Sequence, residues 1–313
     1  MVLAIGGENL IDFVSEETDQ SNLPKYTANP GGSPFNVAIA AGRQGQSVSY
    51  LTPISQDSLG CLLVRTLKES GVEVVAPRVP EPTSLAIVSL LNGNPSYSFH
   101  RNTTAERQVT LEGLQNYAPK DTTILHVGSL GLIDGDDAKV WEEFFTISKK
   151  QGVLTSLDPN VRPSLIKNRK NYVDRIRRMM RNVDIFKLSD EDLLWLYPDR
   201  TLEQAVTDCR SDCSAVLFIL TLGPEGSLSY IKDIKVKVAA SKVENIVDTV
   251  GAGDTFMATL LSWVIDTGWT SRDKLAEVNE DNLRRAIAVA SAAAAINCQR
   301  SGCNPPTKDE FSL

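Results

Sequence analysis

Short apolar runs alternate with longer amphipathic stretches along most of the chain, and this alternation constrains the fold more than any other feature. Several runs hold only apolar residues, which is typical of strands buried on both faces of a parallel sheet. We predict strands at residues 2–5, 48–51, 72–75, 124–127, 153–157, 185–188 and 216–220. We predict helices at residues 34–43, 59–70, 137–151, 165–181 and 202–209. The pattern favours an α/β fold of three layers, a sheet between two layers of helices.

Two segments interrupt this alternation. Residues 11–29 and 84–101 alternate polar with apolar side chains and contain Gly, Asn and Pro turns, which is typical of a one-sided antiparallel sheet. A complete strand–helix stretch separates them in sequence, so we expect them to form a small flap beside the main sheet. Residues 251–297 are rich in Ala, which predicts closely packed helices. With no linker or internal repeat evident, we expect one domain over residues 1–313.

Composition excludes several classes of protein. Lys and Arg number 32 against 39 Asp and Glu, a net charge of −7, which argues against nucleic-acid or anionic-membrane partners. No apolar stretch approaches the length of a membrane span, and the N-terminus does not resemble a signal peptide. The five Cys are an odd set in a long chain, which suits a reducing compartment, so we expect a cytoplasmic protein.

The His content removes two hydrolytic chemistries. Only His100 and His126 are present, too few for most zinc hydrolases. The chain also lacks the G-x-S-x-G motif that would offer a catalytic serine. The close pairs Cys209/Cys213 and Cys298/Cys303 have no neighbouring His, so we interpret them as thiols packed against helices and not as metal ligands.

The sharpest local signal is the sequence DTVGAGDTF at residues 248–256. Two glycines around an alanine allow a tight turn with consecutive N–H groups on one side. An apolar stretch follows at residues 256–265, so the motif predicts a buried helix whose N-terminus favours an anion. Asp254 would lie in the first turn, where a carboxylate can accept a hydroxyl proton. Taken alone, the motif is also compatible with a Gly-rich turn capped by Asp254.

Three weaker motifs accompany it. Residues 30–38 (PGGSPFNVA) place two glycines before a helix, with Asn36 one turn inside. Residues 158–163 (DPNVRP) and 221–226 (TLGPEG) each directly follow a predicted strand, at the sheet edge where open α/β folds bind ligands. Each motif alone could equally be an ordinary connection.

Together, these four motifs resemble the ribokinase-like carbohydrate kinases, the family named for the minor phosphofructokinase. The two signatures of that family correspond to residues 31–45 and 248–256, and the remaining motifs fit in order across essentially the whole chain. The resemblance implies a ribokinase-like α/β/α sandwich with a small β-sheet lid, formed by about residues 11–29 and 84–107. It also implies transfer of the γ-phosphoryl group of ATP to a sugar hydroxyl.

The resemblance further implies roles for individual residues. Asp254 would be the base, and the anion hole would be formed by Gly251, Ala252 and Gly253. The implied sugar contacts are Asp12, Gly32, Asn36, Phe99, Arg101 and Arg162. The implied nucleotide contacts are Lys187, Ser189, Thr221, Gly223, Gly226 and Asn297. Mg²⁺ would be held largely through water near Asp158 and Asp192, and a monovalent cation, K⁺ above all, by Asp248, Val250 and Gly302.

One segment departs from the family pattern. Many members carry Asn-x-x-Glu after the strand at residues 185–188, a motif tied to Mg²⁺ and phosphate. Here the two positions are Ser189 and Asp192, a form that resembles fructokinase-like members. Which of Asp190, Glu191 and Asp192 faces the metal stays open at this point.

The opening GENLIDF at residues 7–13 and the segment FHR followed by TAER at residues 99–107 look most like fructokinases. Arg101 and Arg162 could instead bind a carboxylate, so a 2-keto-3-deoxygluconate kinase is the alternative. A non-catalytic sugar-binding protein on the same fold is a second alternative. A dehydrogenase would need G-x-G-x-x-G after the first strand, where GGE stands instead. The expected partners are a sugar and ATP, with the lid as a candidate homodimer interface.

Overall fold

The computed structural model describes residues 1–15, 25–91 and 94–311, and these residues form fifteen strands and ten α-helices. The strands are β1 (Val2–Gly6), β2 (Leu10–Ser15), β3 (Tyr26–Gly31), β4 (Val48–Tyr50), β5 (Ile54–Ser55), β6 (Val72–Val74), β7 (Arg78–Val79), β8 (Ser84–Leu91), β9 (Asn94–His100), β10 (Thr122–Gly128), β11 (Leu154–Asp158), β12 (Ile185–Ser189), β13 (Leu217–Thr221), β14 (Ser227–Ile231) and β15 (Ile234–Val238). The helices are α1 (Ser33–Arg43), α2 (Ser58–Glu69), α3 (Leu111–Tyr117), α4 (Gly135–Lys150), α5 (Arg169–Met180), α6 (Asp190–Leu196), α7 (Leu202–Asp212), α8 (Ala252–Asp266), α9 (Arg272–Ala276) and α10 (Glu280–Cys298).

Nine strands form the central sheet, in the order β15-β14-β13-β12-β11-β10-β1-β4-β6. The seven strands from β13 to β6 are parallel, and β14 and β15 extend one edge as an antiparallel hairpin. The seven predicted strands are these seven parallel strands, so that prediction is confirmed. The hairpin was not predicted, because its alternating residues lack a continuous apolar run.

All five predicted helices are present, as α1, α2, α4, α5 and α7. Two boundaries differ by three residues or more: α5 begins at Arg169 and not at residue 165, and α7 ends at Asp212 and not at residue 209. Residues Pro163–Leu165 form a 3₁₀ turn, and the side chain of Asn168 caps α5 by accepting the N–H of Asn171. No helix of the described residues is long and apolar enough to cross a bilayer.

The apolar core has two parts, one on each face of the central sheet. Along β1, Leu3 and Ile5 pack on the face covered by α1, α2, α8 and α10, while Ala4 packs on the face covered by α4, α5 and α7. Helix α8 is apolar on nearly every side and packs against α1 and α10. The Ala-rich sequence of α10 lets these helices approach closely. The predicted three-layer arrangement is therefore present.

The two interrupting segments form a separate four-stranded sheet in the order β3-β2-β8-β9. The expectation of an antiparallel sheet was only partly right. β2/β3 and β8/β9 are antiparallel, but β2 and β8 pair in parallel and join the two hairpins. Residues 16–24 and 92–93 of the predicted lid lie outside the described residues. The last part of the predicted lid, beyond β9, includes a 3₁₀ turn at Ala105–Arg107.

Candidate active site

Asp254 lies in the first turn of α8, at the edge of the central sheet where the parallel strands end. Its side chain is buried, and both carboxylate oxygens accept a hydrogen bond. Ser33 Oγ donates to Oδ1 at 2.7 Å, and Asn36 Nδ2 donates to Oδ2 at 2.8 Å. Burial raises the pKa of Asp254, and these two donors and Lys187 offset only part of that rise. The Asp254 carboxyl therefore holds a proton more readily than an exposed Asp does.

Both donors to Asp254 belong to the first turn of α1. This helix begins after Gly32, whose φ of 111° lies where only glycine fits readily. Asn36 also has an unoccupied acceptor: no described residue donates to its buried Oδ1. The predicted sugar contacts Gly32 and Asn36 therefore lie directly beside the predicted base.

The turn before α8 has the conformation that the motif predicts. Gly251 is left-handed with a φ of 74°, and a side-chain carbon built there would lie 2.4 Å from the sulfur of Cys303. The backbone N–H of Ala252 donates to the Thr249 carbonyl at a long 3.2 Å. An anion bound at this turn would have to compete with that weak bond for the Ala252 N–H.

A buried ion pair faces this turn from the ends of β11 and β12. Lys187 Nζ lies 2.7 Å from Asp158 Oδ2, and both side chains are less than 10% exposed. Burial alone would lower the pKa of Lys187, but Asp158 and the nearby Asp192 and Asp254 keep it raised. A side-chain carbon on Gly253 would lie only 3.2 Å from Nζ. The ammonium group is therefore close to the predicted anion hole.

Among the three acidic residues that the sequence left open, Asp192 is the one that turns toward Asp158 and Lys187. Its Oδ1 accepts the N–H of Val161 at 2.8 Å, and it forms a reciprocal capping box with Ser189 at the start of α6. Asp192 is buried, whereas Glu191 is exposed. The nucleotide contact predicted for Ser189 stays a prediction, since its hydroxyl already caps α6. Within the described part of the chain, no group of three or more His, Cys, Asp or Glu is arranged to hold a metal ion.

Asp12 lies on β2 of the four-stranded sheet, within the electrostatic influence of Arg162. Burial raises the pKa of Asp12 to about 6, and the charge of Arg162 partly opposes the rise. Asp12 pairs with Asn29 of β3, and Gly31, two residues further along β3, lies diagonally across from it. A side-chain carbon on Gly31 would lie 2.3 Å from Asp12 Oδ2. Arg162 is exposed and donates to the Asn160 side chain at 2.6 Å. These two predicted sugar contacts thus share one neighbourhood.

Arg101 occupies a different environment from the one expected of a free sugar contact. Its guanidinium is buried and donates to both oxygens of Glu106, at 2.8 and 3.1 Å. Ser84 donates to the same carboxylate at 2.9 Å. The predicted contact Phe99 is half-buried on β9, opposite Ala86 of β8. Arg101 is therefore already neutralised from within the protein.

The predicted cation loops lie together at the other end of the site. Asp248 accepts the N–H of Val250 at 3.0 Å and the N–H of Gly302 at 2.9 Å. Asn297 is fully buried, donates to the Val250 carbonyl at 2.7 Å and accepts from Asn304. The nucleotide contact predicted for Asn297 stays a prediction. In the structure, the hydrogen bonds of the Asn297 side chain hold the loop of Val250 in place.

The remaining predicted nucleotide contacts follow β13. Thr221 ends that strand and its hydroxyl reaches the Leu188 carbonyl only at 3.4 Å. Gly223 and Gly226 have φ values of 53° and 95° in the turn before β14. At Gly226 a side-chain carbon would collide with the Val238 carbonyl at 2.1 Å. The turn therefore requires glycine, whatever it binds.

A sequence model of the pfkB family of carbohydrate kinases matches residues 1–310. The chain belongs to this family. A fructokinase from Rhizobium leguminosarum bv. trifolii is 36% identical over 281 residues, which span 89% of this chain and 84% of that relative. The crystal structure of a Xylella fastidiosa fructokinase with bound ATP superposes with a TM-score of 0.89 at 26% identity, covering 96% and 93% of the two chains. A Vibrio cholerae fructokinase solved with fructose, ADP and calcium has a TM-score of 0.81 at 23% identity, covering 96% and 94%, and shows the fold alone.

These findings confirm the predicted pfkB family and the ribokinase-like fold. The chain is accordingly a phosphotransferase of the carbohydrate kinase class. Two residues of this kinase's site were missed by sequence reasoning. Ser33 lies inside the PGGSPFNVA motif but was not singled out, and Glu8 lies in the opening GENLIDF. The signal for Glu8 was available, because an acid directly after a buried apolar strand is unusual.

Proposed function

We propose that this carbohydrate kinase is a fructokinase, which transfers the γ-phosphoryl group of ATP to a hydroxyl of fructose. The observation that carries the proposal is the buried Asp254 carboxyl at the N-terminus of α8, held by Ser33 and Asn36. The resemblance to fructokinases, including the Rhizobium relative at 36% identity, supports fructose as the acceptor.

The residues of the site would divide the chemistry between them. Asp254 takes the proton of the sugar hydroxyl, and its raised pKa places it closer to working pH than an exposed Asp. The N-terminus of α8, with the turn at Gly251, Ala252 and Gly253, faces the charge of the phosphoryl group. Lys187 adds a positive charge beside Gly253, and the same charge lowers the pKa of Asp254.

Metal ions would act at two separate places. Asp158 and Asp192 would hold Mg²⁺ through water, and Mg²⁺ would neutralise phosphate charge when bound. Asp158 suits this role because its carboxylate shares the ammonium group of Lys187 with a second buried acid, Asp192. The loops of Asp248, Val250 and Gly302 would hold K⁺, since their backbone is already drawn together by the Asp248 carboxylate.

The two arginines favour a neutral sugar over a sugar acid. Glu106 already neutralises Arg101, and Asp12 lies within the field of Arg162. A pocket specific for 2-keto-3-deoxygluconate would need a guanidinium free to meet the substrate carboxylate. Neither arginine of this site is without an acidic neighbour, so we place fructose ahead of the sugar acid.

An exposed apolar strip lies beside the turn at Gly251, Ala252 and Gly253 that precedes α8. Ile246, Val247 and Val250 are 68%, 60% and 50% exposed. We propose that this strip covers one face of the adenine ring, because apolar contact with a flat base would bury surface that is otherwise in water.

The remaining predictions are a cytoplasmic location, in keeping with five free thiols, and the lid as a dimer interface.

We further propose that the sheet β3-β2-β8-β9 is a lid that closes over the sugar and excludes water. Hydrogen exchange measured with and without fructose tests this motion. Amides of β2 and β8 should gain more protection than those of β10 and β11. Equal protection in both sheets would contradict a lid.

An ADP-release assay tests the proposed function. It uses the full chain with ATP, Mg²⁺ and K⁺ and compares fructose, 2-keto-3-deoxygluconate, glucose and ribose. We expect the highest kcat/KM with fructose, and a lower rate when K⁺ is replaced by a bulky organic cation. A higher kcat/KM for the sugar acid would overturn the choice of sugar and keep the kinase. Sugar binding without ADP release would favour the non-catalytic alternative.

A further inference from the structure

The start of α1 has no capping side chain of its own, and a buried carboxyl from another segment takes that place. The N-cap residue is Gly32, so the first N–H groups of the helix need acceptors from elsewhere. Glu8 Oε1 accepts the N–H of Ser33 at 2.8 Å. Glu8 comes from the connection between β1 and β2, and its side chain is 1% exposed. The carboxyl thus fixes α1 from a distant part of the chain.

Glu8 is itself held from several sides. Tyr50 Oη donates to its backbone carbonyl at 2.9 Å, and a side-chain carbon on Gly32 would lie only 2.8 Å from the same carbonyl oxygen. The charged or titratable groups near its carboxyl are Tyr50 of β4, Arg101 after β9 and Glu106 of the 3₁₀ turn, and the Ser129 hydroxyl also faces it.

Among the described residues, the carboxyl of Glu8 has no counter-ion of its own. Glu106 engages Arg101 through both oxygens, which leaves Glu8 as the second acid beside a single guanidinium. No described residue donates to Glu8 Oε2. A buried carboxyl in this state is a costly way to cap a helix, since Ser, Thr, Asp or Asn at the N-cap would serve. A requirement beyond stability therefore accounts for it better.

We propose that Glu8 is a positioning residue for phosphoryl transfer. It fixes the first turn of α1 so that Ser33 and Asn36 present their donors to Asp254. Ser33 links the two carboxyls directly, because its N–H donates to Glu8 and its hydroxyl donates to Asp254. This inference rests on the proposed role of Asp254 as the base.

Two substitutions separate the acceptor from the bulk of the side chain. Glu8→Met keeps the approximate shape but cannot accept the Ser33 N–H, whereas Glu8→Gln keeps an acceptor oxygen. We expect kcat with fructose to fall roughly tenfold or more in Glu8→Met, from the loss of a buried hydrogen bond, while KM for ATP stays within threefold. Glu8→Gln should recover kcat to within threefold of wild type. If Glu8→Met does not fold, Glu8→Asp, which withdraws the carboxyl by one methylene, takes its place with the same expectation.

The matched control is Asp184→Asn, a change to an equally buried carboxyl at the opposite edge of the sheet. It should lower the melting temperature and leave kcat within twofold. A Glu8→Met enzyme with wild-type kcat, or a Glu8→Gln enzyme as slow as Glu8→Met, would overturn the inference. If instead Asp254→Asn keeps full activity, the proposed base is wrong, and that failure is distinct from the failure of Glu8.

Discussion

Two buried carboxyls lie at opposite edges of the central sheet, one where the parallel strands begin and one where they end. They are held in very different ways. Asp184, just before β12, accepts the N–H and the hydroxyl of Thr155, both at 3.1 Å. It also pairs with the charged groups of Lys149 and Arg272. Asp254 lies where the parallel strands end, and the described residues that donate hydrogen bonds to it are the neutral Ser33 and Asn36. One carboxyl is surrounded by cations, and the other is not.

This difference separates structural from functional burial of charge. At the Asp184 edge the cations Lys149 and Arg272 offset the desolvation of the acid. At the other edge burial raises the pKa of Asp254, that of Glu8 to about 7 and that of Asp12 to about 6. Acids whose pKa approaches neutrality can exchange protons under working conditions. The edge with Asp254, Glu8 and Asp12, whose acids have no cation in direct contact among the described residues, is therefore the one suited to chemistry.

The largest expected effect comes from Asp254→Asn. General-base help is worth about 10²–10⁴-fold in rate, so kcat should fall by that factor. Folding should persist, because Asn36 can rotate its amide and offer its free Oδ1 to the new side-chain NH₂. The measurement is kcat with fructose, together with ATP affinity and melting temperature.

Asp184→Asn supplies the opposite result at the other edge. It removes charge from a cluster with two cations, so stability should drop while kcat stays near wild type. A well-folded Asp254→Asn enzyme within tenfold of wild-type kcat would show that the two edges do not differ in function.

Lys187 tests whether the active edge also contains a structural ion pair. Lys187→Met leaves Asp158 buried without its cation, and breaking such a pair destabilises a protein by about 3–5 kcal/mol. Urea unfolding should detect this loss. We expect Lys187→Met to lose kcat as well as stability. The double variant Lys187→Met/Asp158→Asn should regain most of the stability but not the lost kcat. Recovery of both would make Lys187 structural, like the cations around Asp184.

The sequence was sufficient to predict the parallel strands and the turn before α8. Continuous apolar runs report burial on both faces, and GAGD is a local pattern whose geometry depends on neighbouring residues. The partners of Asp254 could not be predicted in this way, because the Ser33 hydrogen bond spans 221 residues of sequence.

The same limit applies to Arg101. Its sequence context indicates a sugar contact, yet the bidentate bond to Glu106 depends on how β9 leads into the 3₁₀ turn. The parallel pairing of β2 with β8 is also a tertiary property, since each segment alone shows only alternation. Local patterns thus predict where the candidate site lies, and long-range contacts determine its charge balance.

A smaller effect is expected in the pH dependence of stability. The folded protein holds the Glu8 proton up to about pH 7, whereas the unfolded chain releases it near 4.5, so the folded state binds more protons between these values. Stability from this group therefore falls as pH rises through that window, by about 3 kcal/mol in full. Glu8→Gln removes the titration. Urea midpoints measured at pH 5 and pH 8 should show that Glu8→Gln becomes more stable relative to wild type as pH rises. If the stability of both proteins changes with pH by the same amount, the pKa of Glu8 is not raised.

The smallest expected effect concerns the hydrogen bond from Ser33 to Asp254. This bond lowers the pKa of Asp254, so Ser33→Ala should raise that pKa further and delay ionisation of the base. A bond to a charged acceptor is strong enough to move the rising limb of kcat/KM against pH by about one unit. The deficit of the variant should therefore be largest on the acidic side of the profile and shrink as pH rises and both enzymes ionise the base. Ser262→Ala is the matched control, because Ser262 is another buried serine on α8 itself and no described residue bonds its hydroxyl. Its pH profile should coincide with that of wild type. A loss in Ser33→Ala that is equal at every pH would mean that Ser33 orients Asp254 without tuning its charge.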